Sequence, residues 1–136
     1  MEHIFEQQVF YSDTDAYGVV WHGAYLRWLE MGRVMLCEQA GYKLSQLEEN
    51  DIVLPVAEIN IKYKNSAKLE DDVVVETCVV DQGRFYITFQ QIIKDEKSNK
   101  VYIEATVKVV AVNKSGKLYR SLPEQVEKIC SAKAGL

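Results

Sequence analysis

Histidine and cysteine are scarce in this 136-residue chain and positive charge is not in excess, and each shortage removes a class of function. Two histidines, His3 and His22, and three cysteines, Cys37, Cys78 and Cys130, show no spacing that would hold a metal ion, so no metal site is expected. An odd number of scattered cysteines also argues against a disulfide framework, and they read as reduced, packed thiols. The opening Met1-Glu2-His3-Ile4-Phe5-Glu6 has neither the basic nor the apolar region of a signal peptide, which makes a cytoplasmic protein the expectation. A net charge of −4 leaves no basic stripe to offset phosphate repulsion, so a nucleic-acid partner is excluded. No apolar run approaches the roughly 18 to 20 residues that a membrane span needs.

What is present is an ordinary globular balance, 48% hydrophobic and 26% charged, in a chain long enough for one domain over residues 1–136 with a real core. Residues 3 to 12 read as a first strand. Residues 23 to 40 read as the longest helix, because Tyr25, Trp28, Leu29, Gly32, Leu36 and Ala40 recur at three- and four-residue steps and Gly41 supplies a left-handed stop. A short second helix is expected around residues 44 to 49. From residue 53 the period becomes two: Ala57, Ile59, Ile61 and Tyr63 alternate with Glu58, Asn60, Lys62 and Lys64. Further strands are expected at 72 to 81, 84 to 94 and 100 to 112, with a short segment at 118 to 120 and a terminal helix from Pro123 to about residue 133.

Strand, long helix, then a run of antiparallel strands is an α+β architecture with the helix against one sheet face. Five or six strands at about 4.8 Å span some 25 Å, whereas a helix with its side chains is about 10 to 12 Å across. One helix therefore leaves part of the face open unless the sheet curls around it, and a second subunit is expected to bury the remainder.

The chemistry is concentrated between residues 11 and 30. Two carboxylates, Asp13 and Asp15, stand before the long helix, where Asp-x-Asp commonly serves only turns and caps. His22 and Gly23 fall at the helix start, whose backbone N–H groups lack intrahelical partners and favour negative charge. Gly18 and Gly23 allow the backbone close to a ligand.

The string Tyr11-x-x-Thr14-Asp15-x-x-Gly18-x-Val20-x-His22-x-x-Tyr25-x-x-Trp28-x-Glu30 resembles the signature of the 4-hydroxybenzoyl-CoA thioesterase family of the hotdog fold, in its YbgC-like acyl-CoA thioesterase branch. The likeness covers nearly the whole chain, including Ser66-Ala67-Lys68-Leu69-Glu70-Asp71-Asp72; Ser66 departs from the proline that many members carry there. It implies one long helix wrapped by a curved antiparallel sheet of five to six strands. It also implies hydrolysis of an acyl-CoA thioester with Asp15 as nucleophile or general base, aided by His22 and Tyr11. The helix start, at the N–H groups of His22 and Gly23, becomes the oxyanion hole. Gly18, Val20, Tyr25 and Ser66 are then substrate contacts, and Lys62, Lys64, Lys68 and Arg84 are candidate partners of the coenzyme A phosphates. No cofactor is needed, coenzyme A being part of the substrate. The family's nucleotide cleft lies between subunits, which with the uncovered sheet points to a homotetramer built from dimers.

One carboxylate suffices for such chemistry because the leaving group is a thiolate whose parent thiol has a pKa near 8.5, so its departure needs little acid assistance. Two other readings remain open: a non-catalytic acyl-CoA-binding hotdog domain and a hotdog dehydratase. Asp15, Gly18 and His22 together disfavour the first, and the scarcity of histidine disfavours the second. The residues leave the acyl group undetermined between short aliphatic and aromatic, with Tyr11, Tyr17, Trp21 and Tyr25 leaning towards the aromatic.

Overall fold

The computed structural model describes residues 2–131. Its elements run β1 (Glu2–Gln8), α1 (His22–Gln39), α2 (Leu44–Glu49), β2 (Val56–Tyr63), β3 (Asp72–Gln82), β4 (Tyr86–Asp95), β5 (Val101–Val110) and α3 (Glu124–Ser131), with one 3-10 turn at Tyr11–Asp13. The strands form one antiparallel sheet in the order β1-β3-β4-β5-β2, so β1 and β2 are its edges.

The helix ends where the chain must turn. Gly41 takes φ +104, its N–H bonds the Glu38 carbonyl at 3.0 Å, and the Tyr42 N–H bonds that of Cys37 at 2.9 Å, which closes the last turn. α1 buries Ala24, Tyr25, Trp28, Leu29, Gly32, Leu36 and Cys37 on one stripe and lies chiefly over β1, β3 and β4. Two apolar clusters result. One, at the N-terminal end of α1, joins Val9, Val20, Trp28 and Leu29 to Val73, Val75, Ile93 and Ile103. The other, at its C-terminal end, joins Leu36 and Leu47 to Phe89, Val107, Val126 and Ile129.

Between the clusters the helix sits on a polar knot. Gln91, fully buried, donates through Nε2 to the Leu29 carbonyl and to Thr77 Oγ1, both at 2.8 Å, and accepts from Arg33 Nη1 at 2.9 Å. Gly32 lets the backbone come down onto it: a Cβ there would lie 2.5 Å from Thr77 Oγ1 and 3.0 Å from Gln91 Nε2.

Two differences from the sequence reading have local causes. The first strand stops at Gln8, because the buried Asp13 carboxylate takes the Phe10 N–H at 2.9 Å and turns the chain back. The segment at 118 to 120 makes only an isolated bridge, Val112 to Leu118, so the sheet has five strands. α3 buries Val126 and Ile129 as expected, and the part of that expected helix beyond Ser131 lies outside the described residues. Burial also reports on coverage: β2 presents Val56, Ile59 and Tyr63 at 48%, 41% and 50% exposure, at the edge of the sheet that α1 covers only in part.

Candidate active site

The turn before α1 separates the two carboxylates. Asp13 is 2% exposed; besides the Phe10 N–H its carboxylate pairs with Arg27, and its carbonyl accepts the Trp21 N–H at 3.0 Å. It holds the loop to the helix. Asp15, two residues on, is exposed at the rim of a pocket.

Residues 14 to 20 form a miniature hairpin that presents it. Thr14 bridges Val20, the Asp15 N–H bonds the Val19 carbonyl at 2.9 Å, and the Gly18 N–H returns to the Asp15 carbonyl at 3.0 Å. Gly18 makes that turn at φ +78, which a Cβ disfavours. The Tyr17 N–H donates to Asp15 Oδ1 at 2.8 Å, which orients the carboxylate. The hairpin docks on the loop after β2 through the Val20 N–H to the Ala67 carbonyl at 2.9 Å and a bridge from Val19 to Lys68.

The pocket, about 520 Å³, is lined by Asp15, Val20, Trp21, His22 and Tyr25 on one side and Tyr63, Lys64, Asn65 and Ser66 on the other. His22 and Gly23 begin α1, so their N–H groups lie in the first turn, where a helix has no partners of its own. The Trp21 ring lies over Gly23, where a Cβ would come within 2.1 Å of it, and meets the His22 ring edge-on at 5.6 Å. Tyr25 joins the two walls. Its hydroxyl oxygen accepts the Ala67 N–H at 2.9 Å, its ring packs on Trp28 and Tyr63, and burial raises its pKa, so it stays a neutral phenol. Lys64 is tied to Glu104 at 3.2 Å.

Of the sequence candidates, Asp15, Val20, His22, Tyr25, Lys64 and Ser66 thus meet in one pocket, with Gly18 and Gly23 shaping its rim. Others lie elsewhere in the chain. Tyr11 is 81% exposed on the 3-10 turn and does not line the pocket. Lys62 lines a shallow depression with Asn60, Gln90 and Thr106, and Lys68 stands beside the Val19 bridge. Arg84 occupies the β3–β4 turn, at the Gln82 end of β3, whereas the site adjoins its Asp72 end; ten strand steps put them about 33 Å apart. Tyr63 and Asn65 were not singled out. Tyr63 does end the alternating strand, which was its one visible signal; Asn65 had none. Among the described residues no group of side chains could hold a metal ion.

A long helix laid on a five-stranded antiparallel sheet, with a carboxylate and the helix start lining one pocket, defines a hotdog-fold enzyme of the thioesterase class. The chain belongs to the Thioesterase-like superfamily, whose model matches residues 9–129. It is 33% identical to the YneP protein of Bacillus subtilis over 109 residues, covering 80% of this chain and 78% of that protein. It is 32% identical to the acyl-CoA thioesterase YbgC of Haemophilus influenzae over 124 residues, covering 90% of each. Its fold is similar to that of the DHNA-CoA thioesterase from Staphylococcus aureus, with a TM-score of 0.87 at 26% identity, covering 98% of this chain and 91% of the other.

Proposed function

We propose that this protein hydrolyses an acyl-CoA thioester to the free acid and coenzyme A, with Asp15 as the catalytic carboxylate and the N-terminus of α1 as the oxyanion hole. The observation that carries the reading is the pocket that Asp15 and the start of α1 line together. As general base, Asp15 takes a proton from water as the water oxygen attacks the thioester carbon. The carbonyl oxygen becomes an oxyanion and is met by the N–H groups of His22 and Gly23. The tetrahedral intermediate collapses, the C–S bond breaks, and the thiolate leaves. As nucleophile, Asp15 attacks the thioester carbon and the C–S bond breaks to release the thiolate, leaving a mixed anhydride that water cleaves to the free acid and the regenerated carboxylate. Both routes use the same residues, with His22 orienting the acyl group or Asp15.

Lys64, Lys68, Lys62 and Arg84 are the proposed phosphate partners, the last two from a neighbouring subunit in a homotetramer built from dimers. No cofactor takes part. A reducing cytoplasmic setting suits three cysteines of which two are buried and none is in a disulfide. The test is incubation with acyl-CoA and a thiol-reactive chromophore. Release of free thiol that disappears in Asp15→Asn supports the reading; binding without thiol release makes the protein an acyl-CoA binder, and hydration or dehydration of the acyl chain makes it a dehydratase.

A further inference from the structure

The pocket beside Asp15 contains a hydrogen-bond donor that the protein itself leaves unused. Of the nine residues that line the pocket only Val20 and Tyr25 are buried, so Tyr25 is the one polar side chain at its floor. It is 3% exposed. A phenol has one O–H to give and an oxygen that accepts. The oxygen takes the Ala67 N–H at 2.9 Å, and among the described residues the O–H proton has no acceptor. Asp15 takes the Tyr17 N–H instead, and the Asp71 carboxylate is engaged by the Lys68 N–H and the Tyr102 hydroxyl. Buried donors are nearly always paired, so one left idle in a pocket wall points to an acceptor that arrives with the ligand.

The helix decides what that donor can reach. Tyr25 follows His22 by three residues on the same face of α1, and helical side chains lean towards the N-terminus. The phenol therefore lies over the turn that begins with His22 and Gly23. Ala67 fixes it from the other wall: its carbonyl holds the Val20 N–H at 2.9 Å and its N–H holds the phenol oxygen, so one residue ties the Asp15 hairpin to α1. The ring packs edge-on against Trp28 at 5.7 Å and tilted against Tyr63 at 6.1 Å. A donor held in this way, out of water, needs no reorganisation when negative charge develops beside it, and the low dielectric strengthens the bond it makes. Burial raises its pKa, so it donates the hydrogen bond and keeps the proton.

We propose that the Tyr25 hydroxyl is a third donor of the oxyanion hole, bonding the thioester carbonyl oxygen beside the N–H groups of His22 and Gly23. The bond tightens as that oxygen takes up negative charge in the tetrahedral intermediate and relaxes when the C–S bond breaks. No proton moves from the phenol. The proposal rests on the thioesterase reading of this pocket.

The test uses two acyl-CoA analogues that cannot be hydrolysed. In one a methylene replaces the sulfur and leaves a ketone; in the other the carbonyl is a methylene as well. The wild type is expected to bind the ketone more tightly, and Tyr25→Phe to narrow that preference by about 3- to 10-fold, the worth of one neutral hydrogen bond. The ratio of the two Kd values is independent of the folded fraction. A tyrosine that only braced the walls would weaken both ligands alike, so an unchanged ratio overturns the proposal. With acyl-CoA itself, Tyr25→Phe is expected to lower kcat about 100-fold with little change in KM; an unchanged kcat also overturns it. A fluorine placed beside the Tyr25 hydroxyl by amber suppression makes the O–H a better donor and the oxygen a poorer acceptor while keeping the ring. It is expected to widen the preference for the ketone, and a narrower preference, meaning that the oxygen serves Ala67 alone, overturns the assignment. A wild type that binds the ketone but releases no thiol from acyl-CoA overturns the thioesterase reading instead, and the Kd ratio then judges Tyr25 by itself.

Discussion

Asp13→Asn and Asp15→Asn are near-isosteric changes two residues apart, and the structure expects them to fail in opposite ways. Both oxygens of Asp13 face donors, the Phe10 N–H and the Arg27 guanidinium, in a site that is 2% exposed. An asparagine there must turn its NH₂ towards one of them, losing a hydrogen bond and leaving a buried donor against a donor. Charged hydrogen bonds contribute about 1.5 to 3 kcal/mol, and an unsatisfied buried group costs about 1 to 3 kcal/mol. Arg27 is half exposed, so solvent screens its share and the lower part of the range applies: about 2 to 3 kcal/mol in all. For a domain of this size that lowers the melting temperature by roughly 5 to 15 °C. Asp15 is exposed, and an asparagine Oδ1 can keep the Tyr17 N–H, so stability should stay within about 0.5 kcal/mol. Its kcat should fall about a hundredfold or more, the scale of losing a positioned base. Thermal melts by circular dichroism and thiol release from acyl-CoA, both well below either midpoint, measure the two effects separately. Asp15→Asn melting as early as Asp13→Asn, or a folded Asp13→Asn that has lost a hundredfold in kcat, would refute the division of labour.

Three further outcomes are expected. Gly32→Ala gains about 1 kcal/mol of helix propensity but forces the new methyl onto Thr77 Oγ1 and Gln91, costing about 1 to 3 kcal/mol for overpacking plus a disturbed buried bond. The net should be destabilising in urea titration and less so beside Thr77→Ala; strict additivity of the pair would contradict the close approach. His22→Ala should cost clearly less kcat than Asp15→Asn if main-chain N–H groups hold the oxyanion, whereas Gly23→Pro, which removes one of them and also displaces the Trp21 ring, should cost about two orders of magnitude and clearly more than Gly23→Ala, which displaces the ring but keeps the N–H. Turnover by folded variants decides, and a dead His22→Ala enzyme would mean that the imidazole itself does chemistry. The Cys37 thiol is pushed up to about 11, first by burial and then by the neighbouring Cys130. It stays protonated below that pH, so its alkylation in the native protein, followed by mass spectrometry, should be slow and rise about tenfold per unit from pH 7 to 9; a flat profile would count against a thiolate-limited reaction.

The long helix was legible because its apolar stripe at residues 25, 28, 29, 32 and 36 repeats at the helical period over about three turns, and β2 to β5 were legible because their alternation is a property of neighbours in the chain. Asp15, His22 and Tyr25 could be named for a related reason: they stand within eleven residues on one turn and one helix, so their spacing in sequence nearly dictates their spacing in space. The resemblance favoured Asp15 over Asp13, but sequence alone could not show what occupies Asp13: Arg27, fourteen residues away, pairs with it and leaves Asp15 at the pocket. Nor could it place Tyr63 and Asn65 opposite Asp15, or remove Arg84 to the far end of β3. Those positions follow from the strand order β1-β3-β4-β5-β2, which sends the second strand in the chain to the edge. Order within a sheet is fixed by which faces and edges bury one another, a non-local balance that no single segment encodes.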